Sequence, residues 1–311
     1  MRTGLFAHPA CFNHVTPPGH PERVDRLRAV LDALNALPSL DRREAPPAER
    51  DSLIRAHDRQ LVEGILSATI GPDDFERIDA DTTMSAGSGE AALRAAGAVI
   101  AAVDAVMAGQ MDNAFCAVRP PGHHAERQRA MGFCLFNSIA IGALHARAVH
   151  GLKRVAVVDF DVHHGNGTQD IFFDDPGLFY ASTHQFPLYP GTGLASERGV
   201  AGNIVNVPLP PGAGGTAFRS VFEEQILPAL EIFEPQFIFI SAGFDAHEAD
   251  PLAALRLQVE DFEWATQQLC LLAKRVCGGR VVSALEGGYD LESLARSTVA
   301  HVRALACGGE G

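Results

Sequence analysis

Arg154-Val-Ala-Val-Val-Asp159-Phe-Asp161-Val-His163-His164-Gly-Asn166 decides the fold. The run is apolar and β-branched, without alternation, and then turns abruptly to acids and imidazoles. An unbroken apolar run of this length reads as a strand buried on both faces, as in a parallel sheet. Working outward, similar runs predict strands at residues 3–7, 114–118, 154–159, 178–182, 204–207, 237–241 and 280–285. Between them, apolar residues at helical spacing predict helices at 21–37, 49–68, 88–108, 138–149, 217–233, 259–276 and 291–306. Pro228 falls inside the 217–233 helix and predicts a kink there. The alternation of strand and helix predicts a doubly wound α/β fold around a mostly parallel sheet. There is no internal repeat and no low-complexity linker, so the whole chain, 1–311, reads as one domain.

Composition narrows the function classes. Lys and Arg total 25 against 38 Asp and Glu, a net charge of −13. That balance argues against binding a nucleic-acid backbone, which calls for clustered cations. The six cysteines show no CxxC spacing and sit in apolar runs, which reads as free thiols in a reducing compartment. The most apolar long window, residues 91–108, carries Arg94 and Asp104 and reads as a buried helix, not a membrane span. The short apolar run at 5–7 is too brief for a signal-peptide core. The expectation is a soluble, cytoplasmic protein. The oligomeric state is left open.

In an open parallel sheet, ligands bind beyond the carboxyl ends of the strands. Four predicted strands are followed by polar loops: Arg119-Pro-Pro-Gly-His123-His124-Ala125, Asp159-Phe-Asp161-Val-His163-His164-Gly165-Asn166, Ser241-Ala-Gly-Phe-Asp245 and Glu286-Gly287-Gly288-Tyr289. Asp159, Asp161 and His163 fall at i, i+2 and i+4, so an extended chain carries them on one side and points Phe160 and Val162 into apolar packing. Asp161 and His163 can share a metal, with Asp245 as a third ligand. Three protein ligands leave a coordination position open, which is the catalytic arrangement. The N/O set suits zinc and admits iron or cobalt. Taken one at a time these residues have ordinary readings: a capping Asp159, a core histidine, a packing Tyr289. Only their convergence at strand ends points to a site.

These four loops, in this order, resemble the signature of the histone deacetylase superfamily, and most closely its class II and bacterial amidohydrolase-like branch. Gly19-His-Pro-Glu-Arg23 and Tyr189-Pro-Gly-Thr-Gly193 match as well, and the resemblance runs from about residue 4 to 306. It implies the arginase/deacetylase fold, with an eight-stranded sheet. It implies one Zn²⁺ held by Asp161, His163 and Asp245, and hydrolysis of an acetyl or other acyl amide on a lysine side chain or similar amine. It further implies a narrow tunnel lined by Phe133 and Tyr189, with Gly132 beside it, Leu252 at its mouth, Asp81 at the rim, and Gly287 and Gly288 also among the tunnel or rim residues. It implies structural K⁺ or Na⁺ as well: one at Asp159, Asp161, His163, Ser182 and Thr183, and a second near Phe172, Asp175 and Leu178.

The same resemblance assigns roles. His124 is expected to act as general base, and His123, paired with Asp159, as a protonated neighbour. Tyr289 is expected to donate a hydrogen bond to the tetrahedral oxyanion. Asn166 stands where class I relatives carry an aspartate, and class II relatives share the Asn. Leu252 stands where one polyamine-specific subgroup carries a glutamate, which favours acyl-lysine, or small acetylated amines, over long polyamines. Two other readings compete: an acetylpolyamine or small acetylated-amine deacetylase, and a catalytically silent scaffold that binds acyl-lysine. An arginase-like ureohydrolase would require a second set of bridging carboxylates, and only one ligand triad is evident.

Overall fold

The computed structural model describes residues 1–37 and 39–308. Its strands are β1 (Thr3–Ala7), β2 (Asp41–Glu44), β3 (Glu76–Arg77), β4 (Thr83–Met84), β5 (Asn113–Cys116), β6 (Val155–Asp159), β7 (Leu178–Gln185), β8 (Ile204–Leu209), β9 (Phe237–Ala242) and β10 (Val281–Leu285). Eight of them form one sheet in the order β2-β1-β5-β10-β9-β6-β7-β8, and every neighbouring pair is parallel. β3 and β4 form a separate antiparallel pair. All seven strands read from the sequence are present. The eighth, β2, escaped because Asp41-Arg-Arg-Glu44 is polar and mostly exposed at the sheet edge, so it carries none of the apolar signal of a buried strand.

The helices are α1 (Val24–Leu34), α2 (Arg50–Ala56), α3 (Arg59–Ser67), α4 (Ser88–Met107), α5 (Ser138–His150), α6 (Asn166–Phe172), α7 (Gly215–Val221), α8 (Leu227–Phe233), α9 (Val259–Cys277) and α10 (Leu291–Cys307). One helix needs correction, and the irregularity expected at Pro228 is present. The predicted 49–68 helix is two helices, α2 and α3, because His57 leaves helical geometry and Asp58 N donates to Arg127 O. The 217–233 helix contains a π-helical turn at Phe222–Ile226, where Leu227 N reaches back to Phe222 O, just before Pro228. Proline lacks an N–H and crowds the carbonyl four residues back, so the ladder widens instead of continuing.

The core is continuous across both faces of the sheet. β6, β9 and β10 are buried at every position. Each buried Phe or Val in them contributes on the order of 1.5–3 kcal/mol through removal from water. Such strands tolerate no slippage, so the residues that follow them are delivered to fixed places. All six cysteines are free thiols, five of them buried. Among the described residues no helix is long and apolar enough to cross a membrane.

Candidate active site and metal centre

The four motif-bearing strands, β5, β10, β9 and β6, are adjacent in the sheet. Their carboxyl ends therefore open onto a single region, although the motifs are scattered across 170 positions from Arg119 to Tyr289. A cavity of about 210 Å³ lies there, lined by Asp81, His124, Gly132, Phe133, His163, Leu188, Tyr189, Leu252 and Tyr289.

At its floor, Asp161, His163 and Asp245 each offer one ligand atom, all within 4.8 Å of one another, and all three residues are buried. His163 Nδ1 lies 3.1 Å from Asp161 Oδ1 and 3.2 Å from Asp245 Oδ2. Backbone donors hold the carboxylates: Gly287 N to Asp161 Oδ2 (2.8 Å) and Val162 N to Asp245 Oδ1 (2.9 Å). β6 ends at Asp159, and the following bend still buries Phe160 and Val162 while Asp161 and His163 face the cluster. Gly287 is required here, since a Cβ would sit 2.0 Å from Asp245 Oδ2 and 2.6 Å from Asp161 Oδ2.

The charges fit a cation. Burial would lower the His163 pKa, but Asp161 and Asp245 overcome this and push it up to about 10. Burial would raise Asp161, but His123 and His163 hold it well below the usual carboxylate range. Two buried carboxylates facing one imidazole bind a proton strongly, and a divalent cation on the same three atoms would displace it. The N/O₂ donor set, with a cavity beside it, fits a zinc ion that keeps a position for a further ligand.

Two histidines stand next to this triad. His123 Nδ1 pairs with Asp159 Oδ2 at 2.9 Å, and its Nε2 lies 3.8 Å from Asp161 Oδ2. Burial disfavours its charge, yet Asp161 and Asp159 hold its pKa well above the ordinary value. His124 is opposite in character. Burial, together with the charges of His123 and His163, holds it well below the ordinary value. Its Nδ1 faces Asn166 Oδ1 at 2.8 Å. Tyr289 is buried, which raises its pKa well above the ordinary value and keeps the hydroxyl protonated.

The cavity wall is built by a tight turn. Met131 and Cys134 pair as a β-bridge, and the two residues between them, Gly132 (φ +58) and Phe133 (φ +67), are both left-handed. An aromatic residue there is strained. Phe133 N donates to Thr82 Oγ1 (3.0 Å), and its ring meets His20 and Tyr289 edge-on. Gly132 leaves room for His124, because a Cβ would lie 2.5 Å from the His124 ring.

The structure thus brings together His123, His124, Asp159, Asp161, His163, Asn166, Asp245 and Tyr289, and puts Gly132, Phe133, Tyr189, Leu252 and Asp81 on the cavity wall, with Gly287 and Gly288 behind it. The monovalent-cation expectations concern two sets. Asp159 sits in register between Ser182 and Ser241, and the buried hydroxyls of Thr183 and Ser241 have no hydrogen-bond partner, so oxygen lone pairs there are free for a cation. In the second set the carbonyls of Phe172, Asp175 and Leu178 converge, and Asn203 Nδ2 donates to them at 3.0, 3.2 and 2.8 Å.

Several residues around the site were not foreseen. Leu188 lines the cavity. Glu286 Oε2 accepts from Gly122 N and His123 N. Glu22 binds the buried Arg26 and Arg119. Asp250 Oδ2 accepts from Tyr289 N at 2.7 Å. Two sequence signals touched these, Gly19-His-Pro-Glu-Arg23 and Glu286-Gly287-Gly288-Tyr289, which marked Glu22 and Glu286 without showing their partners. A second His/Asp cluster, Asp104 with His145 and His150, lies on α4 and α5 outside the cavity, with both Nε2 atoms 2.7 Å from one Asp104 oxygen.

Comparison with known proteins agrees with this geometry. The histone deacetylase domain model matches residues 20–305. "Histone deacetylase 14, chloroplastic" of Arabidopsis thaliana is 42% identical over 92% of this chain and 73% of its own length. The "Histone deacetylase-like amidohydrolase" of Pseudomonas aeruginosa is 42% identical over 92% of this chain and 75% of its own. The crystal structure of the HDA15 HD domain superposes with a TM-score of 0.92 at 36% identity, covering 98% of this chain and 89% of that one. With all four strand-end loops inside the matched span, the chain belongs to the histone deacetylase family.

Proposed function

We propose that this protein is a zinc-dependent deacetylase that removes an acetyl group from the side-chain amine of an acyl-lysine. The observation that carries the reading is the sharing of one narrow cavity by a metal-ligand side chain, a neutral histidine and a protonated tyrosine: His163, His124 and Tyr289. Held by Asp161, His163 and Asp245, Zn²⁺ would polarise the amide carbonyl and make water acidic enough to attack it.

The chain's own groups do the rest. His124, kept neutral, takes a proton from water and later returns one to the departing amine. His123, kept protonated by Asp159 and Asp161, supplies positive charge beside the reacting centre. Tyr289 donates its hydroxyl hydrogen bond to the oxygen that becomes negative. Phe133, Leu188, Tyr189 and Leu252 clasp the aliphatic stem of the substrate and exclude water. We assign a structural monovalent cation to the set of Asp159, Asp161, His163, Ser182 and Thr183.

One feature favours the acetylpolyamine reading. The Asp81 carboxyl at the cavity mouth lies beside Asp79, an acidic pair suited to a distal ammonium. Competition between an acetyl-lysine peptide and N-acetylputrescine decides between them. Preference for the peptide is expected, because apolar Leu252 offers a polyamine no counter-charge. Preference for N-acetylputrescine would keep the chemistry and replace the substrate.

A further inference from the structure

Asn166 Oδ1 lies 2.8 Å from His124 Nδ1. At its other end, Asn166 Nδ2 donates to Glu126 Oε1 at 2.6 Å. The remaining neighbours of Nδ2 are Met131 Sδ at 3.3 Å and the His124 carbonyl at 3.5 Å. All three of these groups accept hydrogen bonds and none donates. An asparagine amide can be turned end for end with little change in shape, so its neighbours choose its orientation. Turned the wrong way, its oxygen would face the Glu126 carboxylate and its NH₂ would face the imidazole.

Glu126 is itself fixed. Its N–H donates to Arg129 O (2.9 Å), and its carbonyl lies 2.9 Å from His57 Nδ1. His57 Nε2 accepts from Asn137 N (2.9 Å), which leaves Nδ1 as the donor to Glu126. The carboxylate divides its oxygens: Oε2 pairs with Arg129 at 3.2 Å on the outer side, and Oε1 takes the Asn166 amide on the inner side.

We propose that Glu126 is a positioning residue for His124: its carboxylate orients the Asn166 amide, so that His124 carries its proton on Nδ1 and presents the Nε2 lone pair to the cavity. The consequence for rate rests on the deacetylase reading, whereas the tautomer does not. A histidine in the other tautomer offers an N–H where a base needs a lone pair. An aspartate at position 166 would need no such help, because both of its ends accept.

The test is a two-by-two set of variants in the zinc-loaded protein, assayed on an acetyl-lysine peptide. Glu126→Ala should lower kcat at least about tenfold and leave KM within about twofold, because proton transfer and not binding is affected. Glu126→Gln keeps an acceptor oxygen and should stay within about threefold of the parent. In an Asn166→Asp background, Glu126→Ala should cost less than about twofold. An equal loss in both backgrounds would make Glu126 a structural support only, and full activity of Glu126→Ala would remove it altogether. ¹⁵N NMR of histidine-labelled protein, with the His124 signal assigned through His124→Gln, reads the tautomer without turnover. Nδ1–H in the parent and a shift towards Nε2–H in Glu126→Ala are expected, and Nε2–H in the parent would overturn the proposal. If the tautomer switches as expected but no acetylated amine is turned over, the deacetylase reading fails and the role of Glu126 stands.

Discussion

Glu22→Gln tests how the fold supports the catalytic loop. Glu22 is fully buried, and so are both of its guanidinium partners. Its Oε1 accepts from Arg119 Nε (2.5 Å) and Arg26 Nη1 (2.9 Å), and Oε2 accepts from Arg119 Nη2 (2.6 Å). Burial would raise the Glu22 pKa, but Arg119, His14 and Arg26 hold it well below the usual range. The substitution keeps the volume and removes the charge, leaving two buried cations facing one amide. Removing one partner of a buried pair costs about 3–5 kcal/mol, because the other charge stays buried without compensation. At about 2 °C per kcal/mol for a chain of this size, Tm should fall by roughly 6–10 °C. Arg26 also donates to Gly288 O and Glu286 O, both at 2.5 Å, and lies 4.8 Å from the Tyr289 ring centre. The variant, assayed well below its Tm, should therefore also lose kcat. Because the folded-state pKa of Glu22 is depressed, its contribution is present above about pH 4.3 and is lost as pH falls, so the gap between parent and variant should close in acid. Glu63→Gln is the contrast: Arg50 and Glu63 also approach to 2.5 Å, but Arg50 is exposed and Glu63 only partly buried, and the loss should be under about 1 kcal/mol. Chemical denaturation measures both. If Glu22→Gln costs no more than Glu63→Gln, the buried network does not support the loop and the reasoning fails.

Three further outcomes follow from the site and the core. Tyr289→Phe should keep its zinc and its fold and lose about 10²–10³ in kcat, and near-parental activity would remove Tyr289 from oxyanion stabilisation. Asp245→Ala should lose stoichiometric zinc by elemental analysis, and retained zinc would exclude Asp245 as a ligand. Burial holds His57 and His164 at about 4, and His184 and His301 at about 3, whereas unfolded histidine titrates near 6.5. Below about pH 6.5 the unfolded chain binds protons that the folded chain does not. These histidines should therefore lower stability as pH falls, by up to about 1.4 kcal/mol per unit each, partly offset by Asp250 and Glu286, whose carboxyls burial raises to about 7. With four histidines against two carboxyls, the urea midpoint should be lower at pH 5 than at pH 7, and a higher midpoint at pH 5 would contradict it.

What the sequence made legible has a physical pattern. β6, β9 and β10 are buried on both faces, so their side chains must be apolar throughout, and that can be read without a partner in view. The chemistry after them was legible for a different reason: acids and imidazoles that each have an ordinary reading alone recur after several apolar runs, and only that convergence at strand ends marks a site. β2 was missed because an edge strand needs no apolar residues. α6 was missed altogether, because its seven residues begin inside the polar loop that carries Asn166. Glu126, Asp250 and the Glu22 network were beyond reach because their meaning lies in partners far away in sequence. Arg26 meets the Gly288 carbonyl across 262 positions, and no local pattern encodes that contact. Asn203 was beyond reach for the same reason, since it is 25 residues or more from the carbonyls of Phe172, Asp175 and Leu178 that it binds.

The most direct test of the account is acetate release from an acetyl-lysine peptide by protein stripped with a chelator and then titrated with zinc. The account predicts no turnover in the stripped protein and full activity at one zinc per chain. Turnover that survives stripping, or zinc bound at that stoichiometry with no acetate released, would contradict it.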